Sequence, residues 1–158
     1  MKKLVMLMMV MLVLAACGTK PSEPENNTQG SATKDKTIVL YKSDANAEFT
    51  MPFEEKYPSK DQDLVKFIFA KVNEHDVALM DYKFEQEDKS LVLNLGDDIY
   101  TIQGSAGASM FVETLVRSYF ENFPELKEVT FIHKGSYEPI LDHMMIGEPY
   151  KRENFKME

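Results

Sequence analysis

The chain has 158 residues, one cysteine and a formal net charge of −8. This length fits one domain and excludes an enzyme built from separate cofactor and substrate domains, and one cysteine excludes an internal disulfide. The acidic balance argues against a nucleic-acid partner, because a protein that displaces counterions from phosphates needs a basic face.

The N-terminus has the pattern of an export signal. Lys2 and Lys3 precede the uncharged run 4–16, which as a helix would span only about 20 Å at its rise per residue. The hydrocarbon core of a bilayer is about 30 Å thick. Residues 1–16 are therefore predicted to be a signal peptide rather than a transmembrane span.

The end of this run, Leu14-Ala15-Ala16-Cys17, resembles the lipobox of bacterial lipoproteins. In those proteins the cysteine thiol receives a diacylglyceryl group, and cleavage makes the cysteine the first residue of the mature chain. This resemblance makes Cys17 the expected lipid attachment site, the bilayer a partner and the outer face of the cell membrane the location. The alternative is a plain secretory signal with an unmodified Cys17. Cleavage would remove two lysines and no acidic residue, which leaves a net charge of −10.

A polar stretch follows the cysteine. Residues 18–36 contain no aromatic residue and no Leu, Ile, Val or Met, so they have little with which to offset the entropy cost of ordering. Residues 17–36 are predicted to be the lipidated cysteine and a disordered linker, whose root-mean-square reach is about 25 Å. The folded domain is expected to occupy residues 37–158.

The first predicted elements are two strands. The β-branched and aromatic run 37–41 is typical of a strand, and a turn is expected at 44–47. The segment 48–51 is expected to form a second, short strand, which Pro52 would confine to an edge or an irregular stretch.

A helix is predicted over about 60–74. Ser59 and Gln62 have the spacing of a capping box. Apolar residues then recur at helical spacing, at Leu64, Phe67, Ile68 and Val72.

Two alternating segments predict a β-hairpin. Residues 80–85 alternate apolar and charged side chains, and residues 91–95 carry a matching stripe of leucines. Residues 87–89 are expected to form the turn between the two strands.

The second helix is predicted over about 105–122, before Pro124. Glu113 and Arg117 stand in the favourable acid-before-base order. Its apolar side comprises Ala108, Phe111, Val112, Leu115 and Tyr119.

Further strands are expected at 129–133 and 139–146. The order helix, hairpin, helix, strand, with flanking strands, predicts an α+β fold. Its two helices would pack on one face of a small, mostly antiparallel sheet.

Several short segments are spread over about 80–150 of the chain. They comprise Leu91-Val92-Leu93-Asn94-Leu95, Gly104-Ser105, Glu121-Asn122-Phe123-Pro124, Val129-Thr130-Phe131-Ile132, Gly135, Leu141-Asp142-His143 and Pro149. Together with the order of elements, these segments resemble the GerMN domain of sporulation and germination lipoproteins and other bacterial envelope proteins. The family usually carries a Thr-Leu pair where this chain has Tyr119-Phe120.

The resemblance implies a compact domain similar to ring-building motifs, which share the helix–hairpin–helix–strand core. Domains of that wider group associate side by side or scaffold envelope complexes. The resemblance therefore implies a non-catalytic protein of cell-envelope assembly, sporulation or germination, which binds an envelope protein or copies of itself and uses no cofactor. No catalytic residue is carried over from the family.

The chain has three histidines, which are candidates for metal binding or catalysis. Adjacent strands could bring His133 to Asp142-His143, and two imidazoles with a carboxylate could hold zinc. Because no ligand spacing supports a metal site, hydrogen-bonded structural histidines are the favoured interpretation. His75 follows the first helix, where capping or solvent exposure is favoured over catalysis.

The remaining polar candidates also have structural explanations. Asp97-Asp98 could be half of an acid–base carboxylate pair, but a turn after a strand favours aspartate anyway. The stretch 104–108 precedes a helix, whose N-terminus attracts anions, but a flexible loop capped by Ser105 is preferred. The serines 105, 109, 118 and 136 lack a nucleophile-elbow context.

Aromatic residues give the last indication. Any that are exposed would form a contact patch, and the candidates are Phe49, Phe53, Tyr57, Tyr137 and Tyr150. The favoured hypothesis is a binding or scaffold lipoprotein without catalytic or metal residues. The alternatives are a lipoprotein that binds a cell-wall fragment or metal ion, and a hydrolase that uses His133 and His143 with Asp97 or Asp142.

Overall fold

The computed structural model describes residues 36–58, 62–138 and 146–157. The predicted signal peptide, Cys17 and the linker up to residue 35 lie outside this part of the chain. The described elements are β1 (Lys36–Ser43), β2 (Thr50–Tyr57), α1 (Leu64–Val72), β3 (Leu79–Glu85), β4 (Ser90–Leu95), a 3₁₀ turn (Asp97–Thr101), α2 (Gly104–Asn122), β5 (Glu128–His133), β6 (Tyr150–Lys151) and a second 3₁₀ turn (Arg152–Asn154).

The larger sheet has the strand order β3-β4-β5-β6. A hairpin joins β3 to β4, so these strands are antiparallel. Helix α2 carries the chain from one end of β4 back to its start, and β5 therefore lies parallel to β4. The α+β class, with mostly antiparallel sheets, is confirmed; the parallel pair and strand β6 were not predicted.

Strands β1 and β2 form a separate two-stranded sheet. The second strand is present as an edge strand, antiparallel to β1, but the predicted bounds of 48–51 are wrong, because β2 begins at Thr50 and continues through Pro52, which lies opposite Tyr41. The Tyr41 N–H donates to Ser118 Oγ at 2.8 Å and so points away from β2. Tyr41 and Pro52 are therefore a pair without mutual hydrogen bonds. An N–H at position 52 would face away from β1, so the proline costs the ladder no hydrogen bond.

Helix α1 is shorter than the prediction of 60–74. Ser59 lies outside the described residues, and Gln62 precedes the helix, so the predicted capping box is wrong. Asp63 is the N-cap instead. Its Oδ1 accepts the N–H of Lys66 at 3.2 Å, and its Oδ2 accepts the hydroxyl of Tyr82 at 2.8 Å. The helix start is thereby attached to β3.

Helix α2 lies across the core as predicted. All five residues of its predicted apolar side are buried, and Arg117 Nε lies 2.8 Å from Glu113 Oε1, as the spacing indicated. Tyr119 and Phe120 are both fully buried, and the hydroxyl of Tyr119 donates to the carbonyl of Val65 at 3.0 Å. This hydrogen bond joins α2 to α1.

The C-terminal end of α2 is capped from a distant part of the chain. The guanidinium of Arg152 donates to the carbonyls of Phe120, Phe123 and Leu126, each at 2.6 Å. It also lies 4.8 Å from the Phe120 ring centre. A cation is favourable here because the last carbonyls of a helix carry partial negative charge.

The tip of the β3–β4 hairpin holds three successive residues with left-handed backbone. Gln86, Glu87 and Asp88 have φ values of 54°, 56° and 65°, a conformation that costs about 1–2 kcal/mol for a residue with a Cβ. The carbonyl of Lys89 accepts the N–H groups of residues 127 and 128 at 2.7 and 3.1 Å. These bonds fasten the tip to the segment before β5.

Two further observations concern predicted segments. Most of the predicted strand 139–146 lies outside the described residues; its last residue, Ile146, is buried. Within the described ranges, neither helix combines the length and the apolarity needed to cross a bilayer.

Candidate functional site

A cluster of charged and aromatic side chains lies at the carboxyl ends of the parallel strands β4 and β5. Leu95, the last residue of β4, is paired with His133, the last residue of β5. Asp97 begins the 3₁₀ turn after β4, and Lys134 with Gly135 makes the tight turn after β5. The register of these two strands therefore brings Asp97, His133 and Lys134 together.

Both carboxylate oxygens of Asp97 are occupied within this cluster. Oδ1 lies 2.9 Å from His133 Nε2, and Oδ2 accepts from Lys134 Nζ at 2.5 Å. Lys134 first, and His133 second, lower the pKa of the Asp97 carboxyl below its ordinary value of 3.8. The Asp97 carboxylate is therefore ionised and can only accept hydrogen bonds. His133 Nε2 is accordingly the donor in its hydrogen bond with Asp97 Oδ1.

Tyr100 completes the cluster. Its ring meets the His133 ring edge to face at 5.3 Å between centroids. The tyrosine is 51% exposed, whereas the histidine side chain is only 13% exposed. The aromatic ring therefore shields the imidazole and presents its own outer surface to solvent.

The contacts within this cluster occupy the groups that zinc ligation at Asp97 and His133 would need. A metal ion would have to displace Lys134 from Asp97, and His133 Nε2 is already engaged. No group of three or more His, Cys, Asp or Glu side chains that could hold a metal occurs in the ranges that the structure describes. The predicted neighbours Asp142 and His143 lie outside those ranges, so the structure does not test their approach to His133.

The other predicted polar residues have local roles. The carbonyl of Asp98 accepts the Thr101 hydroxyl at 2.7 Å and closes the 3₁₀ turn. His75 does not cap α1, because Asn73 does so through its N–H. The imidazole of His75 instead packs against the Phe111 ring, with 6.0 Å between the ring centres, beside a cavity of about 130 Å³.

The expected Ser105 cap is also wrong. Helix α2 begins at Gly104, with Gln103 as its N-cap, and no side chain forms a capping hydrogen bond there. Local sequence could not reveal this, because Ser105 has the right residue type but lies inside the first turn.

The predicted aromatic patch is only partly exposed. Phe49 is 68% and Tyr137 is 48% exposed, whereas Phe53, Tyr57 and Tyr150 belong to the core or pack against it. Three further exposed apolar residues were not predicted from the sequence: Met51, Met80 and Tyr100. Met80 is exposed because the register with β4 shifts between Leu79 and Asp81. The two-residue period alone would have placed it on the partly buried face with Tyr82 and Phe84.

Comparison with known proteins agrees with this architecture at the level of fold. No family model matches the sequence, and no curated protein matches it. A solved structure of the tandem GerMN domains of the sporulation protein GerM from Bacillus subtilis is similar, with a TM-score of 0.56 and 16% sequence identity. The match covers 81% of this chain and 49% of that chain, so this protein spans about half the length of its structural relative. The fold of the described domain is that of GerMN domains.

Proposed function

We propose that this protein is an extracytoplasmic lipoprotein, tethered through acylated Cys17, whose GerMN-like domain acts in cell-envelope assembly during sporulation. It works by binding an envelope protein or copies of itself, without catalysis. The observation that carries the proposal is the structural likeness to the GerMN domains of a sporulation protein over 81% of this chain.

The architecture of the described domain supports binding. The Asp97 cluster satisfies its own charges and leaves an exposed tyrosine beside them, an arrangement common in contact surfaces. Phe49 and Met51 add exposed apolar area at the end of the small sheet. A domain with such surfaces is suited to protein partners.

The anchor rests on the sequence pattern around Cys17. Two or more acyl chains hold a protein stably to a bilayer, whereas one chain holds it marginally. With a mature charge of −10, an anionic membrane surface would repel the domain. The lipid and the linker together would then present the domain away from the membrane.

Mass spectrometry of the mature protein tests the anchor. We expect the mature chain to begin with a cysteine whose mass includes a diacylglyceryl group. The Cys17→Ser variant should not be lipidated or processed in this way. A mature chain with a bare thiol would contradict the tether.

Affinity capture after cross-linking in sporulating cells tests the binding role. The full-length chain should retain an envelope protein, and the Tyr100→Ala and Phe49→Ala variants should retain less of it. A matched exposed variant, Ser109→Ala, should retain the same amount. Absence of any specific envelope partner and of self-association would contradict a scaffold.

A further inference from the structure

The two outer edges of the small sheet differ. On the β1 edge, Ser118 Oγ accepts the Tyr41 N–H at 2.8 Å, and Asn122 Nδ2 donates to the Val39 carbonyl at 2.7 Å. Both side chains come from α2. The helix therefore occupies the edge of β1 and leaves no room there for another strand.

The opposite edge belongs to β2. Since Tyr41 faces outward and lies opposite Pro52, the outward positions of β2 are Thr50, Pro52, Glu54 and Lys56. Glu54 and Lys56 are exposed, and no group in the described part of the chain bonds to their outward main-chain atoms. This edge is open to pairing.

Two prolines define the length of this open edge. Pro52 occupies an outward position in β2 on one side of Glu54 and Lys56, and Pro58 directly follows the strand on the other side. Neither proline has an N–H to donate. Only the segment between the prolines can therefore form a complete ladder, with two donors on each chain.

We propose that β2 pairs with β2 of a second copy of this chain, antiparallel, with Glu54 opposite Lys56 of the second copy. This inference deepens the proposed function, since it names the surface through which the domain self-associates. The pairing joins two small sheets into one of four strands with two-fold symmetry.

The charge pattern selects this register. Two-fold symmetry places Lys56 opposite the second copy's Glu54 as well, so the pairing makes four main-chain hydrogen bonds and two opposite-charge pairs. Pro52 then lies opposite the second copy's Pro58. Each proline therefore faces another proline, and neither takes the place of an N–H that the ladder between them needs. A shift of two residues in the pairing would set Glu54 against Glu54, and like charges directly opposite are destabilising.

One like-charge contact remains at the symmetry axis, where Glu55 meets its own copy. Each Glu55 carboxylate is already paired with Lys71 Nζ of its own chain at 2.9 Å. The ion pair compensates the charge before the two copies meet.

Four hydrogen bonds make a weak contact by themselves. Tethering on one membrane would raise the effective concentration of copies, as linked binding sites do. An edge of this size is therefore adequate for association at a surface.

Charge reversal tests the proposal on the full-length protein anchored in lipid vesicles, where copies share one surface. The dimer fraction is measured by energy transfer between donor-labelled and acceptor-labelled copies. Glu54→Lys and Lys56→Glu should each weaken dimerisation about tenfold, because two attractive pairs become repulsive. The double variant should return within about threefold of wild type, and an equal mixture of the two single variants should associate better than either alone.

The control is Glu153→Lys, which makes the same charge change as Glu54→Lys but lies beside the larger sheet. This variant should leave dimerisation unchanged. Net charge alone would make the two single variants shift association in opposite directions, whereas the proposal requires both to weaken it. All these side chains are exposed, and a thermal melt checks that each variant is folded.

A strictly monomeric wild type, or single variants that dimerise as wild type does, would overturn the inference. Acylation of Cys17 and capture of another envelope protein would be unaffected by that result. Failure of the pairing is therefore distinguishable from failure of the proposed function.

Discussion

The two helices of this domain obtain their end contacts in different ways. Helix α1 is capped by its immediate neighbours, Asp63 at its start and Asn73 at its end. Helix α2 has no side-chain cap at its start. At its end the Phe123 N–H bonds to the Tyr119 carbonyl, as Asn73 does in α1, but the remote guanidinium of Arg152, which lies beyond β6, binds further carbonyls there. The short helix is thus locally determined, whereas the long helix depends on tertiary structure at its C-terminal end.

The largest effect is expected at the remote cap. Arg152→Ala should lower the free energy of unfolding by about 3 kcal/mol, because three carbonyls lose a charged donor. Chemical denaturation measures this. Arg152→Lys keeps the charge but cannot reach all three carbonyls, so its loss should be smaller. A loss below about 1 kcal/mol for the alanine variant would show that α2 does not need this cap.

The next largest effect is expected at the hydrogen bond between α2 and strand β1 of the small sheet. Ser118 is fully buried, and Ser118→Ala removes the buried hydrogen bond from the Tyr41 N–H to Ser118 Oγ, which should cost about 2 kcal/mol. Equilibrium urea unfolding would register the change. Ser109→Ala, at an exposed position of the same helix, should stay within about 0.5 kcal/mol of wild type.

The local cap should matter less. Asp63→Ala should destabilise the domain by about 1 kcal/mol through loss of the N-cap, and Asp63→Asn should recover most of it. Tyr82→Phe removes only the second hydrogen bond of Asp63 and separates its contribution. Thermal unfolding of the three variants would compare them. If Asp63→Ala cost more than Arg152→Ala, the contrast between the helices would be reversed.

The smallest effect is expected at Asp97, which is exposed. Its pKa is lowered in the folded state by Lys134 and then His133. Stability from this group is therefore present above the ordinary value of 3.8 and is lost as the pH falls through the lowered pKa. Carboxyl NMR titration should show the depressed midpoint, and Lys134→Met should move it upward. An unchanged midpoint in that variant would mean that Lys134 does not hold the carboxylate.

The elements that sequence predicted well are those fixed by local periodicity. The leucines of β4 and the apolar side of α2 repeat at intervals that one face of a strand or helix requires. The pairing of β4 with β5 could not be read in this way, because it depends on the crossover through α2. Strand β6 has only two residues, too few to show a period.

The candidate site divides along the same line. Asp97 after one strand and His133 at the end of another each have a local signal in the sequence. Their approach, and the part of Lys134 in it, depends on the register that pairs Leu95 with His133. The outward direction of Pro52 likewise depends on the bond between Tyr41 and Ser118, which joins residues far apart in the chain.

The left-handed tip of the β3–β4 hairpin has a consequence for engineering this domain. Glycine adopts that backbone at no steric cost, so replacing Glu87 by glycine should raise the melting temperature although it removes a side chain. Residues 86–88 are exposed, and the carbonyl of Lys89 would keep the tip fastened. The hairpin tip is therefore a suitable place to graft an epitope. A loop with glycine at the left-handed positions would stabilise the domain, and the grafted peptide would face solvent.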